Sequence, residues 1–231
     1  MGTYWLVREG DAVAGWEHGL PPGIAPEEWP RSRASGLPLM HGFTITVPEE
    51  FRVKGSERVA LSYFHPGDSE SYPSRSADRV AAILGGEPAG DEPFWQALAA
   101  HAASRHPATV YLRDILEHDH SVMWHTAAVL ERPRCPRPET DLPDGIDGKA
   151  MHLDNPVAEA QPLYLTQEQP SQVLIQLGTP LHPVQCSEEE LAEQGFGDRV
   201  MEIETDVGGA NYGDGNCQID LEADLLDWAC T

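Results

Sequence analysis

Five side chains within one short stretch, Glu117, His118, Asp119, His120 and His125, supply the imidazole and carboxylate groups that ligate Zn²⁺ or move protons. On a strand, His118 and His120 point to the same face, the arrangement in which an HxH pair can share a metal. On a helix they diverge by roughly 200°. A polar turn with solvated histidines accounts for the same residues equally well. Nothing outside that turn supplies a matching ligand set, so no metal or other cofactor is expected, and replacing both histidines is expected to leave stability unchanged.

A second stretch, Asp206 to Asn216 (DVGGANYGDGN), alternates acidic and amide side chains with glycines, as oxygen-rich Ca²⁺ loops do. Its spacing is not that of an EF-hand, and its glycines by themselves predict a tight loop with positive φ positions. Carboxylate pairs such as Asp206 with Asp214, or Asp220 with Asp224, have the chemistry for acid–base work, but no burial signal singles out either pair. The motifs GxSxG, GxxxxGK[ST], HExxH and a helix-leading GxGxxG are absent. Cys135, Cys186, Cys217 and Cys230 are far apart and read as buried free thiols rather than a disulfide framework or zinc knuckle.

These groups must be positioned by short elements, because 21 Gly and 20 Pro in 231 residues interrupt the chain often. Tyr4–Arg8, Phe43–Val47 and Arg58–Phe64 are strand-like, the last two forming a hairpin. Gly19–Pro38 is too rich in proline for helix or central strand, and Trp29 in it reads as an anchor to a core. Ser76 caps a helix over Ala77–Leu84, and a second helix over Phe94–Arg105 presents Phe94, Leu98 and His101 or Ala102 to a sheet. Val110–Leu116 fits either state, whereas Ser121–Leu130 is strand-like. The proline-rich run from Glu131 to Ile146 is a connector between possible subdomains 1–138 and 147–231 of a single domain spanning 1–231. Beyond it, 163–165, 173–177, 200–204 and 217–221 are strands, and Ser187–Glu190 is a capping box closed at Gly195. The expected fold class is α+β and mainly β sheet, with a helical insertion and a strand–loop–strand unit that occurs twice, in 43–64 and 199–221.

The formal net charge is −23, and residues 150–231 carry 16 acids against one base, Arg199. Such a field opposes phosphate backbones and anionic lipid, so neither nucleic acid nor a membrane is an expected partner. No apolar run approaches a membrane span and Met1–Gly10 lacks a leader pattern, so a cytoplasmic location is expected. A cationic protein fits the charge, with Glu188, Glu189, Glu190, Asp206 and Asp214 as the candidate contact residues.

The segment WPRSRASGLPLMHGFTITVP (29–48) resembles the N-terminal signature of the bacterial YwqG-like proteins, and MEIETDVGGANYGDGNCQIDL (201–221) is similar to that family's strand, acidic turn and glycine-aspartate-glycine step. The two segments cover about 40 of the 231 residues. This chain has Tyr212 where a tryptophan often stands. The resemblance implies an α+β fold with a two-part sheet and no established catalytic residue. Members of this and similar families occur among bacterial toxin-immunity and contact-competition loci. The expected function is therefore a cytosolic immunity protein that neutralises a cationic toxin by occluding its active site, and not an enzyme. The alternative is a metal-dependent or small-molecule enzyme using the HxH cluster or the Asp206–Asp220 loop.

Overall fold

The computed structural model describes residues 2–67, 76–104, 106–135, 138 and 159–229. Eleven strands carry it: β1 (Tyr4–Val7), β2 (Val13–Glu17), β3 (Met40–Thr46), β4 (Arg58–His65), β5 (Thr109–Arg113), β6 (Asp119–Thr126), β7 (Gln161–Thr166), β8 (Ile175–Leu177), β9 (Val200–Glu204), β10 (Asn216–Asp220) and β11 (Leu225–Ala229). The helices are α1 (Ala77–Leu84), α2 (Pro93–Ser104), the single turn α3 (Ala127–Leu130) and α4 (Glu188–Glu193).

All strands join one antiparallel sheet in the order β11-β10-β9-β8-β1-β7-β2-β3-β4-β6-β5. β1 lies between β7 and β8, so residues from both sides of the proline-rich connector build the same sheet. The terminal strands β11 and β5 come round to face each other, giving a nearly closed barrel. Period-two alternation explains its contents: Phe43, Ile45, Leu61, Tyr63, Val122, Trp124, Ile203, Cys217 and Ile219 point inward and form one buried cluster. The expected mainly-β character holds, and both sequence stretches with strand–loop–strand character are antiparallel hairpins, β3–β4 and β9–β10.

The outer face is covered in separate patches. The loop from residue 18 to 39 lies over β4 and β6, with Trp29 (2 % exposed) packed among Phe64, Leu39 and Met123 and its Nε1–H donating to the Leu39 carbonyl at 2.8 Å, as the anchor reading required. α1 and α2 seal a further cluster with Leu37. The buried face of α2, Phe94, Leu98 and His101, thus packs on α1 and this loop rather than directly on the sheet; His101 reaches β5 through the Tyr111 hydroxyl. α4, capped by the Ser187–Glu190 box, lays Leu191 with Leu181, Phe196 and Val200 over the other half.

Three sequence expectations change. Ser121–Leu130 is not one strand: β6 ends at Thr126, and Ala127–Leu130 turns helical, where two alanines favour helix and β4 has run out as a partner. Val110–Leu116 resolves as β5 followed by a turn. β2 and β11 stand where no strand was expected. Gly15 interrupts the β2 pattern because the chain passes so close to β3 there that a Cβ would lie 2.0 Å from the Thr44 carbonyl oxygen. Most of the 131–146 connector and Cys230 fall outside the described residues; Cys135 and Cys217 are buried free thiols and Cys186 is half-buried.

The β9–β10 loop ties the two halves of the barrel together at Gly208. Its N–H donates to the buried Glu17 carboxylate at 3.1 Å, and its carbonyl lies 3.3 Å from His65 Nε2. At φ +63 a side chain is strained, and a Cβ would stand 2.2 Å from the Gly42 carbonyl oxygen. Gly209 also has positive φ, but its nearest obstacle is His18 at 4.0 Å. Gly208→Ala should therefore destabilise the protein by about 3 kcal/mol or more, and Gly209→Ala by about 1–2 kcal/mol, in urea unfolding. Equal costs at the two positions would contradict the close-approach account.

Candidate functional site

Between β5 and β6 the chain reverses through residues 114–118, and Asp114 organises the reversal. Its Oδ1 accepts the backbone N–H groups of Leu116 (2.9 Å) and His118 (2.8 Å), which folds the turn and places Glu117 at φ +66. Its Oδ2 accepts from Trp228 Nε1 (2.9 Å) on β11 and lies 3.3 Å from His120 Nε2 on β6. One carboxylate thus holds a turn, the facing sheet edge and an imidazole. Burial raises this carboxyl's pKa, but the hydrogen bonds from His120, His118 and Trp228 outweigh it, leaving the group at about 2 and ionised.

That charge dictates the direction of a buried chain of protons. Because Asp114 only accepts, His120 carries its proton on Nε2, and its bare Nδ1 accepts from the Tyr63 hydroxyl at 2.6 Å. Tyr63 in turn accepts from the Tyr212 hydroxyl at 2.5 Å, across the barrel. Both phenols are raised well above their usual pKa, first by burial, so they stay neutral. Each ring is also packed: Tyr63 stacks on Phe43 at 5.2 Å and on His120 at 5.9 Å, and Tyr212 lies 5.9 Å from Trp228.

Above this chain, at the open end of the barrel, is a cavity of about 280 Å³. Asp114, His118, His120, Tyr212 and Trp228 line it together with Met40, His65, Leu116 and residues 209–211. His118 is the imidazole of the pair that keeps solvent access, with a side chain 34 % exposed and Nδ1 3.6 Å from Asp114 Oδ2. Beside the cavity the turn exposes two large apolar residues, Ile115 (63 %) and Leu116 (55 %). Among the described residues no Lys or Arg pairs with Asp114, whereas the buried Asp119 is held by Arg33 at 2.7 Å and the buried Glu17 by Arg8 at 2.9 Å.

A second polar chain crosses the covered outer face. His41 Nδ1 lies 3.3 Å from the Gly19 carbonyl, His41 Nε2 2.9 Å from Thr44 Oγ1, Thr44 2.7 Å from Ser62 Oγ, and Ser62 2.7 Å from His125 Nε2. The Ser62–His125 distance is that of a nucleophile and its base, but the direction is wrong. The Gly19 carbonyl requires a proton on His41 Nδ1, each hydroxyl then donates toward His41, and His125 must donate to Ser62 rather than take its proton. Burial, reinforced at His125 by His106, lowers both imidazoles to about 3 and keeps them neutral.

The candidates named from sequence are placed as follows. Asp206 and Asp214 are exposed on the β9–β10 loop whose 209–212 segment walls the cavity, and this loop has the expected positive φ at Asp206, Gly208, Gly209 and Gly213. Glu188, Glu189 and Glu190 head α4 in the cover over β9. Glu188 accepts the Leu181 N–H and Glu190 closes the capping box, so both serve local structure. Asp220 caps the β10–β11 turn through the N–H groups of Glu222 and Ala223, and Asp224 pairs with Lys54. Among the described residues no three His, Cys, Asp or Glu side chains form a group with metal-binding geometry. Tyr63, Asp114, Tyr212 and Trp228 were not singled out as a site from sequence; the readable signal was an aspartate opening a five-residue turn with two apolar residues at its tip.

No family model, no curated protein and no solved structure matches the chain.

The solvated-turn reading of the histidines fails at His120, which is 2 % exposed and bonded on both nitrogens. The expectation that replacing both histidines leaves stability unchanged is therefore corrected: His120→Ala strands the Tyr63 hydroxyl and part of Asp114 and should cost about 2–4 kcal/mol in urea unfolding, against roughly 0.5 kcal/mol for His118→Ala.

Asp114 also gives a pH signature. A carboxyl depressed from 3.8 to about 2 contributes stability that is complete above about pH 5 and is lost as pH falls toward 2, on the order of 2 kcal/mol. Between pH 5 and 2 the wild type should lose that much more stability than Asp114→Asn, which starts lower; parallel pH profiles for the two proteins would contradict the assignment.

Proposed function

We propose that this protein is an acidic binding protein of the toxin-immunity kind, acting in the cytoplasm on a cationic protein toxin by covering its active site. The observation that carries the reading is unpaired surface charge: in a chain of net charge −23, Glu189, Asp206 and Asp214 are exposed and, among the described residues, make no side-chain hydrogen bond or ion pair. Fixed, unpaired carboxylates on a rigid antiparallel frame steer and orient a basic partner. The acid–base groups at the barrel mouth support binding over turnover, because Asp114 and His120 spend their hydrogen-bonding capacity on each other, the turn, Trp228 and Tyr63. The likeness of 29–48 and 201–221 to YwqG-like proteins, and of their paired hairpins to a duplicated unit, agrees with this direction. No described helix is long and apolar enough to cross a membrane.

Charge neutralisation tests the reading where the fold tolerates it. Asp206→Asn keeps a residue type suited to positive φ, Asp214→Lys reverses an exposed charge, and Glu189→Lys avoids the capping box. Together these should slow association with an immobilised oligolysine peptide by about one to two orders of magnitude at low salt, and by much less at 0.5 M salt, where screening acts within about 4 Å. Unchanged rates at low salt would overturn the reading.

A further inference from the structure

The cavity at the barrel mouth sits on a buried carboxylate that, among the described residues, has no Lys or Arg partner. Asp114 is held by two backbone N–H groups, an indole and an imidazole, with the His118 ring 3.6 Å away. Of the other buried carboxylates, Glu17 and Asp119 have guanidinium partners, while Glu202 and Asp220 are held by amide and backbone N–H groups and do not line this cavity. Beside its polar groups the cavity lining is apolar, from Met40, Leu116, Ala210 and Trp228, and the volume of about 280 Å³ lies just below the usual range for small-molecule pockets. Such a site suits a cation on an aliphatic stem: the stem lies on Met40 and Leu116, and the charge approaches the Trp228 face and the field of Asp114.

We propose that this cavity receives one basic side chain, lysine in the first instance, from the partner protein, with the exposed Ile115–Leu116 tip packing on the partner surface beside it. The tip selects a protein over a free amine. A small amine in the cavity touches Leu116 only on its inner side and leaves Ile115, 63 % exposed, in water. Asp206 and Asp214, on the loop that walls the cavity, extend the same negative field outward. This inference rests on the binding reading above and names one contact point for it, the barrel mouth.

The test uses the full chain and three probes: n-butylammonium, its neutral counterpart n-butanol, and a lysine-containing apolar peptide, each followed by the NMR shift of the Trp228 indole N–H. Butylammonium should bind about tenfold more tightly than butanol, since only the charge differs, and the peptide about tenfold more tightly than butylammonium, since it also covers the tip. Leu116→Lys places a competing ammonium at the rim without touching the backbone N–H that Asp114 holds. It should weaken peptide binding at least tenfold, whereas Leu116→Gln should cost about threefold or less.

Equal binding of butanol and butylammonium would overturn the role of the Asp114 charge, and a peptide no tighter than butylammonium would overturn the choice of a protein side chain. If Leu116→Lys leaves peptide binding intact while the Asp206, Asp214 and Glu189 variant still slows association, the acidic-binder reading stands and the cavity assignment falls.

Discussion

The barrel is closed by a side chain. β5 and β11 are the free edges of the sheet, and what brings them together is the carboxylate of Asp114 reaching from the end of β5 to the indole of Trp228 on β11. A buried carboxylate is costly unless its lone pairs are filled, and its removal from water is offset here only when the turn, β6 and β11 are all in place. The group therefore couples three elements in one cooperative unit. β5 and β11 share no backbone ladder, and the cavity lies at this seam, lined by Asp114 and Trp228.

A second constraint acts from the opposite wall. The β9–β10 loop crosses the barrel end pressed against Gly42, its Gly208 gripped by Glu17 and His65, and this fixes Tyr212 where its hydroxyl meets Tyr63. Hydrogen-bond direction then propagates from the fixed charge: Asp114 sets the His120 tautomer, and His120 sets both phenols. On the outer face the Gly19 carbonyl plays the same part for His41, Thr44, Ser62 and His125. In both chains polar groups that resemble catalytic sets are committed to structure. What remains without a Lys or Arg partner among the described residues is charge, at Asp114 inside the mouth and at Glu189, Asp206 and Asp214 outside it, and the functional reading follows from that.

Local rules made much of the frame legible. Period-two alternation located β3, β4, β9 and β10, and the Ser76 and Ser187 caps located α1 and α4, because each signal lies within a few residues of its element. β2 and β11 were missed for physical reasons: Gly15 removes a side chain where two backbones nearly touch, and β11 is defined by its partner β10 more than by its own pattern, LLDWA. The histidine cluster was visible by residue type, but whether His120 was solvated or buried depended on Tyr63, 57 positions away, and the closure depended on Trp228, 114 positions from Asp114. Pairings of that range leave no trace in a local window. The five acids were legible as charge; only the structure separates Glu188 and Glu190, which hold α4, from Glu189, Asp206 and Asp214, which are unpaired.

An ionised Asp114, held by hydrogen bonds from the turn, His120 and Trp228 with no Lys or Arg partner among the described residues, organises the barrel mouth. Heteronuclear NMR reads it directly, through the Asp114 carboxyl carbon and the His120 ring nitrogens followed across pH. The expected result is an Asp114 midpoint near 2 and a proton on His120 Nε2, the nitrogen that faces the carboxylate. An Asp114 midpoint close to 4, or a His120 carrying its proton on Nδ1, would contradict it.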